Sequence, residues 1–537
     1  MNAVLLFTWL GLVGSVLVAR VWSGSVLECP STFPCNCSVA VDKMTLDFLL
    51  MVNCSSRGLS KFPELKFHDK SKVRLIDFRN NSLGTIPPNA FPNIKIEILD
   101  FSYSENLTIH KHALQPIRDY LQKIILVEMG INFQEQLYFL HDMIQLRELV
   151  LDKNGGWLIP FPGGYFRGLR LLSLNKLSLK SCGIFRISWG AFVELDQLQE
   201  LDLSKNFLTK IPSEISRLRK LRKLVLNSNQ INTIPENTFQ NLKDLRELYL
   251  VSNQLLSTTS IHKNSFGGLA NSLRLIDFSN NDMPAVPIHG LKYMDSLETL
   301  ILSDNRISYL ANDSFNGTFR LKTLDISGNR IEIEEDMFSG LEDSLVTLYM
   351  KNTKLDHMPV KALKHLRKLT FIDVSYNNFQ NIDEEFFRGL KARNIVMRSM
   401  RIRRISPKAF KILKRPIVFD IAGNKVDDVT FVVQAPQCTF YELNLSENPI
   451  DCSCKVERII NSGSVEHLNG SCYTPANYHG YKLNESFGLT LKKTCGSTER
   501  IFCDWQDESK ASRGMMSRAI LNCLVTLSVI LAIITDS

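Results

Sequence analysis

The sequence predicts an α/β solenoid, a stack of similar coils in which short parallel strands line one concave face. Three observations lead to this fold class: one apolar pattern recurs along most of the 537 residues, its residues alternate as in a strand, and cysteines cluster on both sides of the repeated region. With 44% hydrophobic and 22% charged residues, the composition is that of a globular protein rather than a disordered chain. The net charge of +8 includes no long basic block, so nucleic-acid binding is not expected.

The repeated pattern is L-x-x-L-x-L-x-x-N-x-L, and about 16 copies lie between residues 73 and 450. Clear copies are LQELDLSKNFL from Leu198 and LKTLDISGNRI from Leu321, and most neighbouring copies are 23 or 24 residues apart. In L-x-L the two leucines point to one face of a short strand, so the residue between them points to the other face. One coil cannot bury its apolar residues alone, but a stack of coils can.

A phenylalanine recurs on the return side of the pattern, usually followed three residues later by Leu or Ile. Its regular spacing indicates a second buried row behind the strands rather than a cofactor site. The residues expected in this row are Phe91, Phe166, Phe192, Phe239, Phe266, Phe315, Phe338, Phe387 and Phe410.

The pattern resembles the leucine-rich repeat family, in particular the typical 24-residue class of extracellular repeats. That resemblance implies a horseshoe with its parallel strands on the concave face. The copies between Ile96 and Asn154 depart most from the pattern, and Gly155-Gly156-Trp157 interrupts it. A loop is therefore expected to project near Trp157.

The cysteines at the two ends resemble the flanking caps that close the ends of secreted leucine-rich repeat proteins. Before the repeats the arrangement is C-P…C-x-C…C, and after them it is N-P…C-x-C…C…C. Zinc could also bind two C-x-C pairs, but an oxidising compartment and the lack of clustered histidines favour disulfides. The resemblance implies four bonds: Cys29–Cys37, Cys35–Cys54, Cys452–Cys472 and Cys454–Cys495.

The remaining cysteines are less informative. Cys182 occupies an asparagine position of the repeat and is expected to be buried and unreactive. Cys438 and Cys503 could pair, although the sequence does not decide this, and Cys523 lies in an apolar tail.

Both ends of the chain indicate export. Residues 1–25 read as a secretory signal peptide, 26–72 as the N-terminal cap, 73–450 as the repeats and 451–500 as the C-terminal cap. A spacer, 501–518, precedes the apolar residues 519–537, which favour a lipid-anchor signal over a short membrane span. The chain is thus expected on the outer face of the plasma membrane, attached through its C-terminus and without an intracellular signalling domain. Nine sequons are candidate glycosylation sites: Asn36, Asn53, Asn80, Asn106, Asn312, Asn316, Asn444, Asn469 and Asn484.

No catalytic motif is present in the sequence, so neither enzymatic activity nor a cofactor is expected. His110 and His112 form an H-x-H, but no acid or cysteine accompanies them in register, and solvated loop histidines are the favoured interpretation over a metal site.

Ligand recognition is instead expected on the concave face. Seven aspartates share the position between the strand leucines, which indicates either an acidic ligand stripe or a structural role within the repeat. Exposed aromatic residues are common at binding hot spots. The arginines at 398, 401, 403 and 404 could meet an anionic glycan or acidic partner, or form a solvated face. The candidate ligand-binding residues are Tyr249, Asp277, Asp325, Tyr349, Phe371 and Tyr376.

Two functions follow from the family resemblance. The first is cell-surface recognition of a protein or glycan ligand, as in the ectodomains of Toll-like receptors and in the variable lymphocyte receptors of jawless vertebrates. The second is adhesion or guidance, as in chaoptin- and connectin-type proteins and the Nogo receptor, with another membrane protein as partner. A membrane co-receptor or a homodimer is compatible with both. A matrix role like that of small leucine-rich proteoglycans is disfavoured because no acidic cluster accompanies the Ser-Gly pairs.

Overall fold

A computed structural model describes residues 34–41, 48–65, 71–92, 94–104, 106–414, 416–496, 501 and 503. The chain divides into two compact units, the first comprising Met1–Leu255 with Asn264–Leu273 and the second comprising Leu256–Lys263 with Arg274–Ser537. The predicted signal peptide, Cys29, Cys523 and the apolar tail lie outside the described residues.

The first unit is built on one sheet that begins with an antiparallel pair and continues as parallel strands. Its strands are Asn36–Val41, Phe48–Asn53, Ser71–Asp77, Ile94–Asp100, Lys123–Ile125, Glu148–Val150, Lys176–Ser178, Glu200–Asp202, Lys223–Val225 and Glu247–Tyr249.

The second unit carries a sheet of parallel strands throughout. Its strands are Leu275–Asp277, Thr299–Ile301, Thr323–Asp325, Thr347–Tyr349, Phe371–Asp373, Asn394–Val396, Ile417–Asp420, Phe440–Asn444 and Val465–Asn469. Both units are parallel-strand solenoids, which confirms the predicted fold class.

Short elements complete the coils away from these sheets. Small parallel pairs are Thr85–Ile86 with Thr108–Ile109, Ile159–Phe161 with Ile184–Ile187, Asn381–Ile382 with Arg404–Ile405, and Ile450–Asp451 with Cys472–Thr474. The 3-10 helices are Gln115–Ile117, Tyr138–Leu140, Ser213–Arg217, Thr258–Ser260, Pro407–Ile412 and Ala476–Tyr478. The α-helices are Ile288–Leu291, Val360–Leu363, Thr430–Gln434, Cys454–Ser462 and Glu485–Cys495.

The strand leucines are buried as their spacing predicts. In Glu200–Asp202 the middle residue, Leu201, is buried while its two neighbours are half-buried, and the same alternation recurs in most of the three-residue strands. All nine phenylalanines of the return row are buried too, and Phe239 stacks on Phe266 with ring centroids 5.7 Å apart. The core of each unit therefore lies between the strand row and the phenylalanine row.

The repeated asparagine links each coil to its neighbour. Asn206 donates from Nδ2 to the carbonyl oxygens of Leu179 in the preceding coil and Leu203 in its own, at 2.8 and 2.9 Å. Its Oδ1 accepts from the backbone nitrogens of Cys182 and Ile184, each at 3.0 Å. Because buried backbone groups need partners, one side chain here satisfies the turns of two coils.

Five coils replace this asparagine, with Ser104, Met129, Cys182, Thr353 and Met400. At Cys182 the buried thiol lies 3.2 Å from the carbonyl oxygen of Leu151, and burial raises the pKa of this thiol to about 12, as expected for an unreactive cysteine. Thr353 donates its hydroxyl to the carbonyl oxygen of Met350 at 2.9 Å. Met129 and Met400 fill the position with an apolar side chain.

Disulfides close both ends of the repeats. Cys35–Cys54 joins the first antiparallel pair, and Cys452–Cys472 and Cys454–Cys495 hold the cap helices Cys454–Ser462 and Glu485–Cys495. Cys438–Cys503 is bonded as well, a pairing that the sequence left open. Cys37 is also in a disulfide. These bonds fit the cysteine caps that the resemblance implied.

Within the described segments, no helix combines the length and the apolar character needed to cross a bilayer.

Candidate ligand-binding site

On the outward face of the strands in the second unit, one column of residues is uncharged. Thr299–Ile301, Thr323–Asp325, Thr347–Tyr349 and Phe371–Asp373 pair in register, so residues at the same strand position form columns across the sheet. Since the middle residue of each strand is buried, the first and third residues face outward. The first-position column reads Thr299, Thr323, Thr347, Phe371 and Asn394.

The corresponding column in the first unit alternates in charge and forms ion pairs within itself. Lys–Glu pairs of adjacent strands approach to 2.7, 2.9 and 3.8 Å. Such pairs occupy the groups that would otherwise meet a charged ligand, whereas the threonine column of the second unit has none to occupy. The alternating column is Lys123, Glu148, Lys176, Glu200, Lys223 and Glu247.

Two aromatic residues stand together on the strand face of the second unit. The rings of Tyr349 and Phe371, on adjacent strands, lie with their centroids 5.3 Å apart and are half-buried. Tyr376 follows in the turn after the second of these strands and is 59% exposed. Aromatic side chains of this kind offer a large contact area at low entropic cost.

One cation lies beside this pair and a second interacts with Tyr376. The Nζ atom of Lys351 lies 5.6 Å from the ring centroid of Tyr349. Arg398 interacts electrostatically with Tyr376 and is ion-paired with Asp420, to whose Oδ2 its Nε donates at 2.9 Å. This hydrogen bond raises the pKa of the exposed Arg398 guanidinium, so it stays charged. We call Tyr349, Lys351, Phe371, Tyr376 and Arg398 the strand-face patch. It combines ring surfaces with positive charge and suits a ligand that has both apolar and acidic groups.

The seven aspartates that end their strands accept hydrogen bonds from the backbone just beyond the strand end. Each accepts a hydrogen bond at Oδ1 from the backbone nitrogen two residues later, at 2.8 to 3.1 Å, and Asn444 does the same at 3.1 Å. Burial raises the pKa of several of these carboxyl groups, to about 6 at Asp277. Of the two interpretations offered by the sequence, these bonds therefore support the structural role. The seven aspartates are Asp77, Asp100, Asp202, Asp277, Asp325, Asp373 and Asp420.

The six residues expected to bind ligand divide between the two units. Tyr249 belongs to the first unit, where its hydroxyl donates to Glu247 Oε2 at 3.1 Å and Lys223 Nζ lies 5.2 Å from its ring centroid. Asp277 and Asp325 belong to the second unit and hold strand ends. Only Tyr349, Phe371 and Tyr376 of the six therefore fall in the strand-face patch.

The basic run does not form one face. Arg398 lies at the end of the strand Asn394–Val396, whereas Arg404 belongs to the short pair with Asn381–Ile382 on another side of the coil. His110 and His112 lie with ring centroids 5.6 Å apart, and no group of three or more His, Cys, Asp or Glu in the described part of the chain is placed to hold a metal ion.

Lys351 and the threonine column were not among the residues singled out from the sequence. The sequence nevertheless contained a signal for them. At the strand position before the buried residue, the repeats change from alternating Lys and Glu to Thr, Thr, Thr and Phe. That change of composition marks the uncharged column of the strand face.

Comparison with known proteins finds similarity to the repeats of other proteins. The leucine rich repeat family profile matches residues 172–231, 206–255 and 295–355. The chain is 25% identical to the CD180 antigen of Mus musculus over 459 residues, 74% of this chain and 68% of that protein. It is 27% identical to mouse podocan over 73% of this chain and 60% of podocan. Human Toll-like receptor 8 is 30% identical over 42% of this chain but only 24% of its own length.

A solved structure shares the fold. A chain in the Toll–Spatzle complex of Drosophila superposes with a TM-score of 0.50 and 17% identity, covering 84% of this chain and 74% of that one. At this level of identity the match concerns architecture alone.

Proposed function

We propose that this chain is a leucine-rich repeat protein of the extracellular type with cysteine caps, and that it recognises a protein or glycan ligand through the strand-face patch of its second unit. The observation that carries this proposal is the Tyr349–Phe371 pair, held 5.3 Å apart on adjacent strands beside an uncharged column. Rigid strands hold these side chains in place, so binding loses little conformational entropy.

The ligand proposed for this patch presents an apolar or planar group between acidic groups. The rings of Tyr349 and Phe371 would cover the planar group, and Lys351 would face one acid. Arg398 would face a second acid in exchange for its ion pair with Asp420. Asp373, which interacts electrostatically with both cations, would limit binding to ligands with more than one negative charge.

We assign this recognition to innate immunity in preference to adhesion. The support is similarity to the CD180 antigen and to Toll-like receptor 8, together with the family resemblance of the caps and coils. Adhesion predicts a membrane protein on a neighbouring cell as ligand, and immune recognition predicts a microbial or secreted one. Neither function requires a catalytic group or cofactor.

The proposed setting is the outer cell surface. Disulfides and extracellular relatives support an exported protein, and we propose that the chain is glycosylated at exposed sequons and attached through its C-terminal tail. A phosphatidylinositol-specific phospholipase should release it from intact cells if the tail is a lipid-anchor signal. Retention on the membrane with Ile533 still present in the mature chain would instead show a span.

A binding screen tests the proposed function. The protein, released from the cell surface and immobilised through a tag placed after the signal peptide, is exposed to a library of cell-surface ectodomains and to fractionated microbial extracts. The proposal requires a ligand whose binding is lost when Tyr349 and Phe371 are replaced. A ligand that binds the double variant with unchanged affinity would show that the strand-face patch is not its binding site.

A further inference from the structure

A second aromatic surface lies in the first unit, away from the strand face. Trp157 is 78% exposed and Leu158 is 48% exposed, both in the loop that interrupts the repeats. The ring of Trp157 lies 4.6 Å from that of the half-buried Phe207, and Phe185 is 39% exposed one coil before Phe207. We call Trp157, Leu158, Phe185 and Phe207 the loop patch. Exposed aromatic groups that cluster in this way mark interaction sites more often than single exposed residues do.

The fold holds Trp157 in this position. The backbone nitrogen of Gly155 donates to the carbonyl oxygen of Ile131 and that of Ile159 to the carbonyl oxygen of Gly183, each at 2.9 Å, so both ends of the loop are tied to neighbouring coils. Gly183 has a φ of +68°, and a Cβ there would lie 1.9 Å from the carbonyl oxygen of Gly156. The missing side chain lets the loop lie against the coil, so that Trp157 reaches Phe207 two coils away.

Three cations lie on the coils of Phe185 and Phe207. Arg186 adjoins Phe185 with its guanidinium carbon 5.9 Å from the ring centroid, and Lys210 lies three residues after Phe207 in the same coil. Arg217 lies 5.2 Å from the ring centroid of Trp189, which is 76% exposed. Among the residues that the structure describes, none of these three cations forms an ion pair with a carboxylate. The patch therefore carries positive charge that a partner can neutralise.

N-linked glycans leave this surface open. No sequon lies between Asn106 and Asn312, whereas sequons occur before and after this stretch. An exposed aromatic surface within a sequon-free stretch remains accessible to a macromolecule.

We propose that the loop patch is a protein-docking surface for a partner segment that presents an apolar side chain flanked by carboxylates. The apolar side chain packs on Trp157 and Phe207, and the carboxylates pair with Arg186 and Lys210. This surface is separate from the strand-face patch and does not depend on the function proposed for it.

The proposal can be tested with a defined peptide and the fluorescence of Trp157. The protein carries Trp189→Phe and Trp505→Phe, so that Trp157 is the one tryptophan left after the predicted signal peptide. The probes are a Trp-free peptide with Leu-Phe at its centre and three glutamates on each side, and the same peptide with glutamines instead. The glutamate peptide is expected to shift the emission to shorter wavelength and to bind at least tenfold more tightly than the glutamine peptide, with affinity falling as salt rises.

Variants locate the binding. Phe207→Ala and the double variant Arg186→Ala/Lys210→Ala should each weaken the glutamate peptide at least fivefold, whereas Tyr138→Ala, which removes another aromatic group 60% exposed in the first unit, should not. Equal affinity for the two peptides, no saturable shift at millimolar peptide, or unchanged binding to both variants would each overturn the proposal.

The other possible occupants give different results. A heparin fragment or phosphatidylserine vesicles that shift the emission where the glutamate peptide does not would assign the surface to an anionic glycan or a membrane. Concentration-dependent dimerisation that Trp157→Ala abolishes, measured by light scattering, would assign it to a second copy of this chain. Either outcome overturns the proposal of a protein partner.

Discussion

Asp277 Oδ1 accepts hydrogen bonds from both the backbone nitrogen and the hydroxyl group of Ser279, at 2.9 and 2.6 Å. The same carboxyl group is buried, and burial raises its pKa to about 6 even though both bonds favour the charged form. The strand end is thus held by an acceptor whose negative charge is costly at neutral pH.

Replacing Asp277 with Asn should therefore stabilise the protein at neutral pH. Asn444 shows that an amide oxygen makes the same bond, to the backbone nitrogen of Ser446 at 3.1 Å. A carboxyl pKa that is higher in the folded than in the unfolded chain contributes stability that is full below about pH 4 and lost as the pH rises through about 6. Asp277→Asn should match the wild type near pH 4 and exceed it by about 3 kcal/mol at pH 7.

Denaturant midpoints at pH 4, 5, 6 and 7 measure this difference. Asp277→Ala is the control, because it removes the charge and the acceptor together and should be less stable than Asp277→Asn at every pH. A constant difference between wild type and Asp277→Asn across this range would contradict the prediction.

The repeated asparagine should make a large contribution to the stability of each coil that contains it. Asn329 is fully buried, donates to the carbonyl oxygens of Leu302 and Ile326 at 2.9 and 3.0 Å, and accepts from the backbone nitrogen of Ile307 at 2.9 Å. Asn329→Ala leaves these groups without partners and should cost about 3 kcal/mol in chemical denaturation. The exposed neighbour Arg330→Ala should stay within about 0.5 kcal/mol of the wild type. Equal losses of stability in the two variants would show that the repeated asparagine does not stabilise the fold.

The coils and their core were predictable because each depends on residues that recur at a fixed spacing. Leu201 and Asn206 occupy positions that sequence periodicity identifies directly, and the phenylalanine row follows from the same period. The cysteine caps were predictable for a different reason, since their spacing matches a known arrangement at the ends of such repeats.

The binding surfaces were only partly predictable. The sequence marked Tyr349, Phe371 and Tyr376 as outward-facing, but it could not show that Asp325 is engaged by the backbone of its own strand end. The contact between Trp157 and Phe207 joins residues two coils apart across Gly183, and the path of an inserted loop is not encoded in the repeat period. Contacts that depend on such departures require the structure.

Glycosylation should distinguish Asn444 from the other sequons. Nδ2 is the atom that carries an N-linked glycan, and in Asn444 it donates to Asp420 Oδ2 at 3.1 Å on the half-buried strand face. Asn316 is exposed. Glycopeptide mapping of the secreted protein should find glycan at Asn316 and none at Asn444. Full occupancy at Asn444 would require the strand end at Asp420 to be rearranged.

The cap disulfide should contribute strongly to stability. Cys454–Cys495 joins the two cap helices that cover the last coils. Replacing both cysteines with serine should cost about 2–5 kcal/mol and reduce secretion, because the apolar end of the stack loses its cover. Cys182→Ala, at a buried cysteine without a disulfide, controls for the loss of a thiol alone. Secretion and melting equal to those of the control would contradict a stabilising role.

Binding of the ligand found in the screen should depend on the aromatic pair more than on any other exposed ring. Tyr349→Ala removes the ring between Lys351 and Phe371, and Phe371→Ala removes its neighbour, so each should weaken binding by about 2 kcal/mol, with little change in melting because both side chains are only half-buried. Tyr293→Ala is a matched control, since Tyr293 is 65% exposed and has a lysine, Lys292, with its Nζ 5.5 Å from the ring centroid. Surface plasmon resonance of the three variants decides between the sites. A loss of affinity in Tyr293→Ala equal to that in Tyr349→Ala would show that exposed tyrosine–lysine pairs in general, and not the strand-face patch, bind the ligand.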